Sequence, residues 1–410
     1  MKSIGFSLLV LTGTLLGSRG ENFRTDINPA LTYYRAFLLQ PDLPQVDSDY
    51  LFTNSWQGQK LSRRFGDLVA RYDSQFKLAR QAAQAAVPCD WGIDMSSGPA
   101  TFLPQLARAK ALAQVTQLRV PWYLQNGRQE DARDELLAAF ALARNLPRDG
   151  TLISTLVQFA IEAIECSTVA ANFGQFSPEV LQQLAAGLDA LPAQSTASDC
   201  VGTEKALFLD WIRRKVLELQ QQNPAADPKV MEGIRGLMGF EDQPEEQSNL
   251  WQRVTEAAGG TSEGVLKLLR AREQFTENVA DFLKLSYREF ETREPAFRDA
   301  IEKSSNPFVA TSVPSFIKAR QREFRMQATL ALVRAGIEYK LHGEAGLNRV
   351  SDPCGNGPFA FRRFVFQGVD RGFELRSAYN LGRNQAVLIF VEKEGPAFQV
   401  DGNFPGRPRP

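Results

Sequence analysis

The sequence predicts a mainly α-helical protein, an irregular helical bundle or a solenoid-like stack of helices, followed by a small C-terminal antiparallel β-module. From about Asn28 to His342, apolar residues recur every three or four positions, as on one face of an amphipathic helix. After Ser351 the pattern changes to short aromatic and β-branched runs separated by Gly, Asn and Asp, which is typical of strands and turns. Hydrophobic residues make up 43% of the chain, enough for a folded core.

The individual helices follow from this periodicity. One amphipathic face runs from Leu61 to Ala79, and another from Leu209 to Leu219. Apolar positions from Phe275 to Phe290 predict a single long helix that Pro295 disturbs, because proline lacks a backbone N–H. The stretch 330–341 predicts the last helix, with His342 at its C-terminus.

The same reading divides the chain into four parts. Residues 1–20 are expected to be a signal peptide, and residues 21–350 a helical domain with a loop over 223–262. Residues 351–404 are expected to form the β-module, and the proline-rich residues 405–410 a flexible tail.

The N-terminus has the three-part pattern of an export signal. Lys2 precedes an apolar run, and small residues Ser18 and Gly20 stand where a signal peptidase reads the chain, so cleavage is expected before Glu21. The run is shorter than the ~20 residues that span a bilayer, and no later segment reads as apolar enough to do so. We therefore expect a periplasmic or secreted protein without a membrane span after signal cleavage.

Charge and residue usage exclude several functions. The chain has 47 basic and 47 acidic residues, and removal of Lys2 and Arg19 leaves 45 against 47. This balance gives no footprint for nucleic acid. With a single histidine and no zinc-type cysteine spacing, we expect no metal site and no cofactor. The four cysteines, Cys89, Cys166, Cys200 and Cys354, are interpreted either as free buried thiols or as including one disulfide.

One stretch resembles half of a tetratricopeptide repeat. In it, Gly127 allows a tight turn, and Ala132 and Ala139 allow two helices to approach closely. Pro121 is expected to interrupt the first helix. With no second copy at a fixed period, the pattern predicts a tetratricopeptide-like hairpin rather than an array.

The amino-acid sequence of two further stretches resembles that of a family of secreted, mostly helical bacterial proteins. These stretches are Cys89-Asp90-Trp91-Gly92-Ile93-Asp94 and the segment from Asn126 to Leu146. The resemblance covers most of the mature chain. That family is uncharacterised, so the resemblance implies no catalytic residue.

The C-terminal module resembles the β-end of type II secretion pseudopilins. The likeness lies in the segment from Asp352 to Phe361 and in Gly372-Phe373-Glu374-Leu375-Arg376-Ser377, which follow a long helix. In that family the next loop can hold calcium through carboxylates. Here residues 378–384 contain none, so the resemblance implies a shared β-module without the calcium site.

Two glutamates are the best candidates for acid–base chemistry. Glu162 and Glu165 share one face of an apolar helix, where a pair of carboxylates could divide the roles of acid and base as in glycosidases. The alternative interpretation is structural, with each carboxylate paired to an arginine of a neighbouring helix. The candidate partners are Arg108, Arg119, Arg128, Arg133 and Arg144.

Aromatic residues supply the candidate binding positions. Asp90, Trp91 and Asp94 could bind a sugar or a cation, although aspartates also order turns and a tryptophan can fill the core. Trp122, Tyr123 and Trp211 are further candidates.

We therefore expect an exported, non-enzymatic scaffold that binds a protein or polymer through a groove between helices. The alternative is a hydrolase or lyase of cell-envelope or extracellular polysaccharide that uses Glu162 and Glu165. Burial separates the two: an open cleft lined by both carboxylates favours the enzyme, and pairing beneath a closed surface favours the scaffold.

Overall fold

A computed structural model describes residues 26–53, 56, 59–238, 245–381 and 385–393 of the protein. The expected signal peptide and the proline-rich tail lie outside these residues.

The protein is mainly helical, with a small antiparallel sheet at the C-terminal end, as the sequence predicts. The helices are α1 Pro29–Leu38, α2 Gln45–Phe52, α3 Arg63–Ala70, α4 Asp73–Ala83, α5 Pro104–Gln125, α6 Gln129–Asn145, α7 Leu152–Ala171, α8 Pro178–Asp189, α9 Val201–Glu204, α10 Trp211–Gln222, α11 Asp227–Leu237, α12 Glu245–Ala257, α13 Ser262–Leu283, α14 Tyr287–Glu302, α15 Pro307–His342 and α16 Glu344–Leu347. A π-helical segment, Lys205–Asp210, joins α9 to α10.

Short polar residues set several of the helix starts. The Thr151 hydroxyl accepts from the Ser154 N–H ahead of α7, which satisfies one of the unpaired donors of the first turn. Ser286 and Glu289 form a reciprocal capping box at the start of α14.

Three details of the helix prediction are wrong. Residues 223–262 are not a loop: α11 and α12 lie within them. The chain breaks between α13 and α14 at residues 284–286, where the Ser286 cap starts a new helix, and Pro295 lies inside α14. Pro121 lies inside an unbroken α5, because packing against α6 and α7 outweighs the loss of one backbone hydrogen bond.

α5 and α6 form a helical hairpin, and its likeness to a tetratricopeptide unit stays a prediction. The turn between them places Gly127 at φ +73°, in the left-handed region that favours glycine. Ala132 and Ala139 are fully buried and let the two helices pack closely.

Three apolar clusters form the core of the part of the protein that the structure describes. One lies among α1 to α7, the largest spans α5 to α8, α13 to α15 and the sheet, and the third lies among α10 to α13. α7 belongs to the first two, because Ile161 packs into the first cluster and Cys166 into the largest.

The sheet contains β1 Ala360–Phe366, β2 Val369–Arg376 and β3 Val387–Val391, in the order β1-β2-β3 with antiparallel pairing. β3 is buried against α7 and α15. Gly372 in β2 has φ +143°, and a Cβ there would stand 2.0 Å from the Phe390 carbonyl oxygen, so this close strand approach requires glycine.

Candidate functional site

A network of charged side chains lies inside the bundle where α4, α5, α6 and α7 meet. At its centre Arg119 of α5 and Glu135 of α6 are 2% and 0% exposed. Arg119 Nε donates to Glu135 Oε2 at 3.1 Å, and Nη2 donates to Oε1 at 3.0 Å. This is the bidentate geometry of a strong charge-assisted pair.

Every N–H of the Arg119 guanidinium has an acceptor. Besides Glu135, it donates to the Val69 carbonyl at 2.8 Å, to Asp73 Oδ1 at 2.8 Å and to the Tyr123 hydroxyl. The guanidinium also lies over the Phe76 ring, 4.5 Å from its centroid. A saturated arginine of this kind has a structural role, because no donor is left for a ligand.

Glu135 has a second cationic partner, Arg80 of α4. Burial raises the pKa of Glu135 above its ordinary value, and the two arginines oppose that rise by stabilising the charged form. The network therefore ties α4, α5 and α6 together through one carboxylate.

Glu162 is fully buried and has an arginine partner, as the structural interpretation expected. It forms an ion pair with Arg144 of α6, and it accepts from Gln158 at 3.2 Å and from Gln194 at 2.7 Å. Burial raises the pKa of Glu162 to about 6, against the opposing effect of Arg144 and the two amides.

Glu165 corrects the expectation that both glutamates pair with arginine. It is fully buried, and neither carboxylate oxygen has a hydrogen-bond partner in the described part of the chain. Burial raises the pKa of Glu165 well above its ordinary value, and the negative charge of Glu135 raises it further. A neutral carboxylic acid at this position avoids the large cost of an unpaired buried charge.

The two glutamates therefore do not line one open cleft. Both side chains are closed off from solvent, so neither can reach a polymer substrate or an attacking water in this arrangement.

In the loop with Asp90, Trp91 and Asp94, the tryptophan fills the core and the aspartates order turns, which is the structural rather than the binding interpretation. Trp91 is 4% exposed, and it stacks on Tyr33 and donates from Nε1 to the Asn145 carbonyl at 2.8 Å. Asp90 and Asp94 are exposed, and each orders a turn by accepting from the backbone N–H two residues ahead, at 2.9 and 2.8 Å. With its tryptophan in the core, this loop presents no aromatic face to a sugar.

The other aromatic candidates also pack within the protein. Trp122 lies against Gly66 of α3, and Trp211 lies against Gly98 and donates to the Ser96 carbonyl at 3.0 Å. Tyr123 is 6% exposed and accepts a hydrogen bond from Arg119.

Above this network lies a surface pocket of about 280 Å³, which we call the α4–α5 pocket. Arg119 forms its floor, and its rim is formed by α4 and by the turn after α5. The rim residues are Asp73, Ser74, Lys77, Arg80, Tyr123 and Arg128. Of the binding candidates from the sequence, only Tyr123 belongs to it.

The cysteines are all free and buried, which agrees with the free-thiol interpretation. Burial raises the pKa of the Cys89, Cys200 and Cys354 thiols to about 12. No group of metal-ligating side chains occurs within the ranges that the structure describes.

In the C-terminal module, Asp352 accepts hydrogen bonds from residues at the beginning of the segment 378–384, which by the predicted resemblance corresponds to the calcium loop of pseudopilins. Asp352 accepts from the Cys354 N–H at 2.9 Å, the Ser377 hydroxyl at 2.7 Å and the Ala378 N–H at 2.5 Å. These donors satisfy the carboxylate within the protein.

One described helix, α7, is long and apolar enough to cross a membrane by length and composition alone. The sequence-based expectation of no such segment overlooked it. Most of its apolar window is buried inside the bundle, as in the core helices that pass the same test.

The fold and site define a mainly helical protein with a small C-terminal sheet and a charged, solvent-excluded helix junction. Comparisons with protein-family models, with curated proteins and with solved structures found no match for this chain. The resemblances to a secreted bacterial family and to pseudopilins stay predictions.

Sequence reasoning missed the Arg119–Glu135 pair and the pocket above it. The available signal was an arginine inside the apolar run Val115–Val120, together with Glu135 beside Leu136 on a face that also carries alanines. Charged residues on apolar helix faces indicate buried pairs, but their spacing along the chain does not name the partner.

Proposed function

We propose that this protein is an exported, non-catalytic helical scaffold that binds a protein or polymer ligand at its surface. The observation that supports this proposal is the closure of the bundle over Glu162 and Glu165, the best candidates for acid–base chemistry. Both are 0% exposed. A general acid or base must come within hydrogen-bond reach of its substrate, and these two do not.

The electrostatics of the two glutamates also favour a structural role. Glu162 is paired with Arg144, and Glu165 is buried in the interior with no hydrogen-bond partner among the residues that the structure describes. A retaining or inverting glycosidase needs both carboxyl groups on either side of a bound sugar. No observation on the described residues favours the hydrolase or lyase alternative.

The first experiment measures reducing ends released from envelope and extracellular polysaccharides by the purified mature chain, beside affinity electrophoresis on the same polymers. We expect retardation by at least one polymer without cleavage. Cleavage that Glu162→Gln abolishes at unchanged thermal stability would establish the enzyme instead. No retardation by any polymer, together with no binding to envelope proteins, would contradict the scaffold.

Export is part of the proposal and has its own test. The residues 1–20 pattern supports release of a mature chain beginning at Glu21. N-terminal sequencing of protein from the periplasm and medium should find Glu21 first, whereas an intact Met1 in the cytoplasmic fraction would refute export.

A further inference from the structure

We infer that the α4–α5 pocket is a binding site for one oxyanion group, a carboxylate or a phosphate, on the ligand. This inference rests on the proposed binding function and gives that function a location. Three cationic side chains, Lys77, Arg80 and Arg128, would hold the anion.

The helix geometry brings the donors to one place. Ser74, Lys77 and Arg80 follow each other at intervals of three residues, so they share one face of α4. Arg128 approaches from the turn between α5 and α6, on the other side of the pocket. The volume of about 280 Å³ exceeds that of a single water several-fold, at ~30 Å³ each, so an oxyanion and part of its carrier fit.

The charges around the pocket do not cancel. The cations are Lys77, Arg80, Arg119 and Arg128, and their carboxylate partners are Asp73, Glu135 and Asp131. Four cations against three carboxylates leave one positive charge. Lys77 is the cation that forms no ion pair within the described parts of the chain, and it is exposed at the rim.

Two of the pocket's arginines, Arg80 and Arg128, have hydrogen-bond donors that their carboxylate partners do not use. Arg80 contributes one N–H to Glu135, and Arg128 contributes Nε to Asp131 at 2.7 Å. Each guanidinium has five N–H donors, so both keep donors for a ligand. Arginine forks match the planar carboxylate and the phosphate group alike.

The pocket is also preorganised. Arg128 lies over the Tyr123 ring, 4.4 Å from its centroid, and Arg80 is anchored by the buried Glu135. Arg119, with all its donors used, contributes positive potential from the floor without a direct hydrogen bond. Side chains that are already fixed lose less entropy when a ligand binds.

The test uses inorganic phosphate, followed by ³¹P NMR, and glucuronate, followed by saturation-transfer NMR, at low ionic strength. We expect saturable millimolar binding of at least one probe, weakened by 0.5 M NaCl. Binding of phosphate alone would assign a phosphoryl ligand, and binding of glucuronate alone would assign a carboxylate ligand.

Variants locate the site. Lys77→Gln and Arg128→Gln should each weaken binding by about tenfold, the loss expected for one charge-assisted contact. Asp73→Asn removes the rim carboxylate and should tighten binding. The control is Lys110→Gln, an exposed lysine nine residues before Arg119 and so on the opposite face of α5, which should change nothing.

Two results would overturn the inference: no saturable binding of either probe, or equal weakening by Lys77→Gln and Lys110→Gln. Neither outcome would contradict the proposed scaffold function, which the polymer assays test separately. Thermal melting of each variant checks that the fold is intact, and Lys77→Gln should melt like the parent because Lys77 forms no ion pair with any described residue.

Discussion

Arg119 and Glu135 meet through two parallel hydrogen bonds of 3.1 and 3.0 Å inside the helical bundle. The pair fixes α5 against α6, and Asp73 and Arg80 extend it to α4. Removing the pair therefore tests how much the charged network contributes to the stability of the α4–α6 packing.

We expect Arg119→Met to destabilise the protein by about 3–5 kcal/mol, because Glu135 would lose its bidentate partner in the interior. Urea unfolding followed by circular dichroism measures this loss. The double variant Arg119→Met with Glu135→Leu removes both charges and should recover much of the stability. If the double variant is as unstable as the single one, the pair itself is not the cause.

Glu165 should make stability depend on pH. Its folded pKa is raised above the ordinary value of about 4.5. Above pH ~4.5 the folded chain thus keeps a proton that the unfolded chain has lost, and stability falls as pH rises towards the folded pKa. Glu165→Gln removes this dependence, so the stability of the variant relative to the parent should rise between pH 5 and pH 7, by at most about 1.4 kcal/mol per pH unit. Parallel stability curves for parent and variant over that range would contradict a neutral Glu165.

Glu162 differs from Glu165 in having an arginine partner, Arg144, that its substitution would leave unpaired. Glu162→Gln leaves Arg144 without its carboxylate, and we expect a loss of about 3 kcal/mol at pH 7.5, where Glu162 is charged. The loss should be larger at pH 5 than at pH 7.5, because the folded pKa of about 6 lies above the ordinary value of 4.5 and the parent loses stability relative to the variant as pH rises through that range. Thermal unfolding of both proteins at pH 5 and pH 7.5 measures this difference, and a loss that is larger at pH 7.5 would contradict the raised pKa of Glu162.

The contact of α3 with α5 depends on a glycine. A Cβ at Gly66 would stand 2.1 Å from Trp122 Cζ2, so Gly66→Ala should cost about 1–3 kcal/mol through overpacking. Gly202→Ala is the matched control, since no atom lies within 4 Å of its Cβ position in a helix, and it should be neutral or slightly stabilising. Equal effects of the two variants on the urea midpoint would show that Trp122 moves aside freely.

The four cysteines should be inert in the folded protein. Their thiols are buried with raised pKa values, and thiolate is the reactive form. A thiol reagent at pH 8 should label none of them until denaturant is added, and then all four. A reducing agent should leave the melting temperature unchanged. Fewer than four thiols after denaturation would indicate a disulfide.

The sequence predicted those parts of the fold that depend on local pattern. Helical periodicity, the β-branched runs after Ser351 and the hairpin turn at Gly127 each express a preference that neighbouring residues determine. The prolines were misleading because Pro121 and Pro295 lie in helices that tertiary packing holds together.

The candidate site was less predictable, because its partners are distant in the chain. The Arg144 partner of Glu162 could be proposed, since consecutive helices pack side by side. Sequence spacing did not show that Arg119 would pair with Glu135, which leaves Glu165 with no cationic partner in the described part of the chain. Which arginine meets which carboxylate depends on the rotation of each helix about its axis, and periodicity fixes that rotation only coarsely.

α7 is shared between two hydrophobic clusters, with Ile161 on one side and Cys166 on the other. A chain ending at residue 150 would leave the first cluster without one of its walls, and a chain starting there would leave a buried helix uncovered. The N-terminal helices can therefore reach their final packing only when α7 is present to complete the first cluster.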